Sequence, residues 1–379
     1  MVVAGKQGKL MLSKRSALRQ RWLELRLLCR PGIGLAAIAQ PVCRLAREIV
    51  GAEAASLFWL DRNDMPLGFF HEDSPAAARE LFVNEFARLF IGPGEINVFF
   101  LAKRDGAPCG SLLAPPPDYF RSNTYNLLVR ASGHHHCLDL RVDNDDGGRV
   151  VLLLFRGHHP AFTEQDAGKL ALFDPLLKRA QAQVGLIDLC YEAATEPGHM
   201  LVDERGEKIV AICDIAEALL RGSNIVGQGV ILNGAMQSAP RFVTDLCGRL
   251  MQAGSASTVV TIPAGRLRLE ASPMRAPGAD PDAPGQVLIK LHHETPSGIA
   301  LIEPILEHRL SPLRSEILLY AASGGQRQKV THAFAISKEA AKKHLREIYR
   351  AVGVGYWDDI PQALEDAAAT CPNPTRPCV

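Results

Sequence analysis

Aromatic residues make up only 6 % of this 379-residue chain, and no uninterrupted apolar stretch approaches the roughly 18 residues that a membrane-crossing helix needs. A transmembrane span is therefore not expected. Cysteines are few and scattered, at 29, 43, 109, 137, 190, 213, 247, 371 and 378. Their number is odd and no CxxC occurs, so neither a zinc ribbon nor a disulfide framework is indicated, and a reducing cytoplasm is the expected setting. The first residues are basic, but Arg and Glu break their apolar stretches, which argues against a secretory signal. No GxSxG, P-loop or HExxH is present. The chain is thus expected to be no enzyme and to need no cofactor.

What is present is a segregation of charge that the net value of +1 conceals. Residues 1–30 hold eight Lys/Arg and one Glu; residues 308–354 hold nine Lys/Arg and three Glu. The stretch between, 31–307, is acidic by nine charges, and 355–379 by three. A mildly acidic body followed by a basic module fits a sensor joined to a nucleic-acid binder better than one large enzyme domain.

The basic module reads as three short helices. Ser311 and Pro312 open the first, with Pro at the position where a missing N–H costs nothing. Leu313, Ile317 and Tyr320 or Ala321 give it one apolar face, and Gly324-Gly325 ends it. A second runs from about Gln326 to Phe334. Ser337 is the expected N-cap of a third, on which Ala341, Leu345, Ile348 and Val352 form a core-facing stripe. Lys338, Lys342, Lys343, Arg346 and Arg350 occupy the other side. Such a charge run is commonly a solvated helix face; on a small module it is equally the footprint of a phosphate-backbone binder.

With the helix order added, the segment resembles the DNA-binding domain of LuxR-type transcriptional regulators. The matching residues are Leu310-Ser311-Pro312, Glu316, Leu318, Gly324, Ile336-Ser337, Lys342, His344-Leu345, Ile348-Tyr349 and Gly353-Val354. Leu313-Arg314, Lys329-Val330-Thr331 and Ala340-Ala341 depart from the pattern, and Ala340 lacks a hydroxyl that would reach a phosphate. The resemblance implies a helix-turn-helix that places Lys342, Lys343 and Arg346 on base edges. Ser337, Lys338 and Arg350 belong to the same DNA-binding set, with Lys338 and Arg350 better placed for phosphates. Double-stranded DNA is the implied partner, with RNA polymerase as a further one and a homodimer as the expected assembly.

Upstream, residues 15–29 form an amphipathic pattern (Leu18, Trp22, Leu25, Leu28 or Cys29) after a lead-in expected to be flexible, and should pack on the first domain or on a second subunit. Leu35 to Val50 reads as a helix and Ala54 to Leu60 as a buried strand. A loop-rich middle with Pro115-Pro116-Pro117 follows. Leu138, Leu140 and Val142 alternate with polar residues, and Asp145-Asp146-Gly147-Gly148 turns the chain into Val150 to Phe155, a hairpin. Thr163 and Asp166 then approximate a capping box. This outline resembles GAF-type small-molecule sensor domains. From His199 to His292, strand, turn, strand and the helix Ile215 to Leu220 capped by Asp214 precede three late strands, with Pro277 to Pro284 as a hairpin tip. That order resembles a PAS domain, as a sensor or as a dimerisation module.

His134-His135-His136-Cys137, His158-His159 and His292-His293 are adjacent pairs or runs without metal-site spacing, so surface or pocket-lining histidines are expected and no metal is assigned. Asp139 and Asp143 are read as solvated hairpin residues. The expected architecture is therefore multidomain α/β plus all-α. It comprises a basic segment with a helix (1–33), a GAF-like α+β domain (34–185), a PAS-like α+β domain (186–295), a linker helix (296–309), a four-helix LuxR-type domain (310–370) and a disordered tail (371–379). The expected function is sequence-specific transcriptional regulation under a small-molecule effector. The competing reading is a small-molecule-binding or enzymatic α/β protein whose basic helices are an interaction surface.

Overall fold

The computed structural model describes residues 3–370 except 31–32, 104, 106, 144–146, 158–159, 182–190, 233, 276–277 and 279–284, and of 3–14 and 369–370 it describes the backbone only. The Asp145-Asp146 turn, His158-His159, most of the Pro277 to Pro284 tip and the tail all lie outside the described residues. In chain order the elements are α1 (Val3–Leu28), α2 (Ala39–Val50), β1 (Ala54–Leu60), β2 (Pro66–His71), α3 (Ala76–Leu89), α4 (Val98–Lys103), β3 (His136–Asp143), β4 (Arg149–Arg156), α5 (Glu164–Ala171) and α6 (Asp174–Gln181). Then follow β5 (Tyr191–Ala193), β6 (Gly198–Asp203), β7 (Ile209–Ile212), α7 (Asp214–Gly222), α8 (Arg241–Ala253), β8 (Ala256–Ile262), β9 (Gly265–Met274) and β10 (Gln286–Pro296). Five helices close the chain: α9 (Ile302–Glu307), α10 (Pro312–Ala322), α11 (Val330–Ala333), α12 (Lys338–Val352) and α13 (Ile360–Thr370). Helices and two antiparallel sheets thus divide into two compact units, residues 34–178 with 192–295, and residues 1–33 with 179–191 and 296–379.

The larger unit holds both sheets. One has the order β2-β1-β4-β3, the other β7-β6-β10-β9-β8 with β5 also on β10. Strand β4 pairs on both edges and is buried from Val150 to Phe155, which is why it reads as a continuous apolar run rather than an alternation. The β3/β4 hairpin pairs Val142 with Val150 and Leu138 with Leu154. Thr163 caps α5 through a full capping box with Asp166.

Three expectations for this unit need correction. The stretch between β2 and β3 is largely helical: α3 carries Phe82 and Phe86 into the core, where the rings of Phe58, Phe69 and Phe82 pack with centroids 4.8–5.6 Å apart, Phe58 stacked on Phe69 and Phe82 edge-on to Phe69. Asp139 is no solvated hairpin residue. It is 2 % exposed, and its Oδ1 accepts the Leu112 N–H at 2.6 Å while Pro108 O and Gly110 N bond along the β3 edge; burial pushes its carboxyl up. Helix α7 is capped at Cys213 rather than Asp214, which lies in the first turn, where its charge favours the positive end of the helix dipole.

The two sheets share one hydrophobic core. Residues 224–232 run along β2 and α3: Phe69 N–H donates to Asn224 O, Val226 N–H to Leu67 O, Gly227 N–H to Val83 O and Leu232 N–H to Glu80. The expected boundary near residue 185 is thus no break in packing.

In the smaller unit α1 is helical from Val3, so no flexible lead-in precedes Arg15 in the described backbone. Among its described side chains, burial is confined to the end: Leu25, Leu27, Leu28 and the following Cys29 are buried, whereas Leu18 is 39 % exposed. It packs against α9 and α10. Burial holds the Cys29 thiol up at about 12, with Arg179 pulling weakly the other way. The expected linker helix is short. Glu294 is taken into β10, paired with Arg266 at 2.7 Å and with Arg268 at 2.7 Å, so that only Ile302–Glu307 remains helical after a single 3-10 turn.

Candidate nucleic-acid interface

The basic helix α12 is built outward from its buried stripe. Ala341, Leu345 and Ile348 are buried and Val352 half-buried, spaced so that they share one face. Ser337 starts the helix: its hydroxyl oxygen accepts the Ala340 N–H at 3.2 Å, satisfying one amide that the first turn leaves unpaired. The Ser337 O–H remains able to donate outward. Gly353, at φ +80°, ends the helix by a left-handed turn with its N–H on Tyr349 O.

Helices α10, α11 and α13 all touch α12 and hold its buried side. Tyr320 of α10 meets Phe334 edge-on at 5.6 Å and lies 6.3 Å from Trp357, whose indole N–H donates to Gly325 O at 2.8 Å. The turn between α10 and the next helix depends on two glycines. Gly324 has φ +81°, and a Cβ on Gly325 would lie 2.5 Å from the Tyr320 ring. Ser311 occupies the N-cap of α10 as the sequence suggests, but its side chain makes no cap hydrogen bond; Pro312 at N1 sets the helix entry instead. The second helix is shorter than the sequence pattern implies, a 3-10 turn from Arg327 to Lys329 followed by one α-turn to Ala333. Ala335, at φ +49°, reverses the chain into α12.

On this scaffold Ser337, Lys338, Lys342, Lys343, Arg346 and Arg350 are all exposed. Lys338, Lys342, Arg346 and Arg350 follow at four-residue intervals, one continuous ridge, and Lys343 flanks it. Lys342 pairs with Glu339 at 3.1 Å and Arg350 with Glu347 at 3.4 Å, both between side chains on the same helix and mostly open to solvent, which gives them little holding energy. Among the described residues, Lys338, Lys343 and Arg346 have no ion-pair partner within 4.0 Å. Arg327 and Lys329, on the segment before α11, are exposed as well and enlarge the positive surface. The sequence reading assigns them no site role because they stand outside the α12 periodicity.

The same unit contains a buried charge cluster that no motif announces. The Glu316 carboxylate on α10, 9 % exposed, accepts Arg179 Nη1 at 2.9 Å and Nη2 at 3.4 Å, and is also bonded by Arg26 Nε of α1. Arg30 Nη1 donates to Ser323 Oγ at 2.6 Å at the end of α10. Two cations thereby clamp the first helix of the α10–α13 group from outside that group. Compared with protein-family models and with curated proteins, the chain matches none.

Proposed function

We propose that this chain is a sequence-specific DNA-binding transcriptional regulator, with residues 310–370 a helix-turn-helix of LuxR type and α12 its recognition helix. The observation that carries the reading is the ridge of exposed, weakly paired cations on α12, back to back with a buried apolar stripe and preceded by a tight turn into the helix. Cations held loosely in water release condensed counterions on meeting phosphates, which drives binding at low salt. Lys342, Lys343 and Arg346, in the middle of the helix, then face base edges, and Lys338, Arg350 and the Ser337 O–H meet phosphates. One such helix covers few base pairs, so a homodimer on paired half-sites is part of the reading, as is an upstream 34–295 region of GAF-like and PAS-like character that receives the signal.

Binding of the full-length chain to fragmented genomic DNA, followed by anisotropy on selected sites, tests the proposal. Lys343→Ala and Arg346→Ala each lose about 1–3 kcal/mol on a selected site and little on random duplex, whereas Lys338→Ala weakens both alike and lowers the salt slope by about one. Failure to retain any duplex at low salt, or equal losses on selected and random DNA for all three variants, overturns the assignment.

A further inference from the structure

The larger unit holds a partly open cavity between the β2-β1-β4-β3 sheet and the helical stretch from α3 to residue 132, within the region proposed to receive the signal. About 60 Å³ is open to the centre of a water-sized sphere. At roughly 10–15 Å³ per water centre this is room for about four to six water-sized groups. The wall is almost wholly apolar, with Phe58, Phe69, Leu153 and Phe155 contributed by the sheet and Phe82 by α3. Water gains little there.

Asn97, Thr124, Tyr119 and Cys137 on this wall are already hydrogen-bonded, whereas Arg79 and Ser132 each carry a polar atom without a partner. Arg79 lines it from α3, and its Nε is buried with no partner; its one hydrogen bond is a long contact from Nη1 to Asn224 Oδ1, 3.5 Å. Among the described residues no carboxylate lies within ion-pair distance of Arg79, although its neighbourhood removes it from most of the solvent. Ser132 also lines the cavity and its Oγ is buried and unpartnered. His71 accepts the Asp73 N–H at Nδ1, 3.0 Å, so its neutral ring carries the proton on Nε2 and is a donor too. Burial, reinforced by the charges of His134 and Arg79, pushes His71 down to about 3, so the ring adds no second cation. Every buried donor left unpaired costs about 1–3 kcal/mol, and native proteins rarely tolerate several around one void.

We propose that this cavity is the binding site for a short-chain monocarboxylate, its aliphatic chain among the phenylalanines and its carboxylate received by Arg79, Ser132 and His71. An anion is required because Arg79 Nε and Ser132 Oγ are unpaired donors, His71 Nε2–H adds a third donor, and no carboxylate among the described residues compensates the guanidinium. A short chain is required by the volume, which accommodates a carboxylate with about three or four carbons and no fused ring. The inference gives a ligand to the proposed signal-receiving region but does not rest on DNA binding by α12, since the cavity belongs to the other compact unit and its test contains no DNA.

The experiment is calorimetric titration of the full-length protein with sodium butyrate, alongside acetate, octanoate and 1-butanol, with thermal melting of each sample in parallel. Butyrate is expected to bind saturably at one site per chain and to raise the melting temperature, with 1-butanol and octanoate at least ten-fold weaker. Arg79→Met is expected to weaken butyrate at least ten-fold while leaving 1-butanol unchanged. Leu153→Phe, which fills the void from the sheet side, is expected to abolish both with the far-ultraviolet circular dichroism retained. Should Leu153→Phe prove misfolded, Ala78→Leu fills the same void from α3 and gives the same readout. The proposal is overturned if 1-butanol binds as tightly as butyrate, if Arg79→Met binds butyrate like the native protein, if octanoate is preferred, or if a folded cavity-filled variant still binds.

Discussion

Replacing Glu316 by Gln probes the contact that ties α1 to α10. The amide keeps the shape and one acceptor oxygen but loses the negative charge, so two ion-paired sets of hydrogen bonds become weaker cation-to-amide bonds at a single oxygen. Fully buried, each such set contributes about 1.5–3 kcal/mol. Here Glu316 retains 9 % of its exposure, but Arg26 retains 45 % and Arg179 33 %, so both guanidinium groups can turn to water when the acceptor charge is lost. Discounting each set to about 1 kcal/mol gives a total near 2 kcal/mol, well below the 3–5 kcal/mol of a pair buried on both sides. Hydrogen exchange in the full chain reads this locally, because the loss falls on the docking of α1. Protection at residues 25–29 should drop about 30-fold, roughly tenfold per 1.4 kcal/mol, with the α5 and β4 amides unchanged. A cycle with Arg179→Met should show about 1 kcal/mol of coupling that shrinks in 1 M salt. Unchanged protection at 25–29, or strict additivity of the two substitutions, would refute the reasoning.

Three further outcomes are expected. Burial holds His71 at about 3, far below its unfolded value near 6.5, so the folded state refuses a proton that the unfolded chain takes. Stability is then fully present above about pH 6.5 and falls as pH drops from there toward 3, by at most about 1.4 kcal/mol per pH unit. His71→Gln should flatten that part of the pH–stability curve, as measured by urea unfolding. Burial raises the Cys213 thiol, but N–H groups of His199, Ala216 and Ile215 more than offset this and leave it below its usual value. Among the cysteines at 29, 43, 109, 137, 213 and 247, iodoacetamide should therefore label Cys213 first, as peptide mapping would show, since burial raises the thiols of the other five. Leu345→Ala removes a buried side chain from the α12 stripe and should destabilise the smaller unit by about 2–5 kcal/mol, visible as early loss of α12 protection in hydrogen exchange.

Local chemistry was legible in the sequence wherever a residue acts on its near neighbours. The Ser337 cap, the Thr163/Asp166 capping box, the Ala341-Leu345-Ile348 stripe and the pairing of β3 with β4 depend on contacts a few residues apart or on a hairpin register, and their signals are periodic. The exposed ridge on α12 follows from the same periodicity, because burying one face of a helix leaves the opposite face to water.

Tertiary structure decided which distant groups meet, since periodicity marks an apolar face without naming what covers it. The amphipathic pattern of α1 does not say what meets its end; α9 and α10 do, and Arg26 finds Glu316 across 290 positions of sequence. Asp139 looked solvated because alternation along β3 ignores the 108–112 segment that lies over that edge. The cavity donors Arg79, Ser132 and His71 come from a helix, a turn and a strand end, positions that follow no common repeat. Their convergence is a property of packing, which brings together side chains by shape and burial rather than by spacing along the chain.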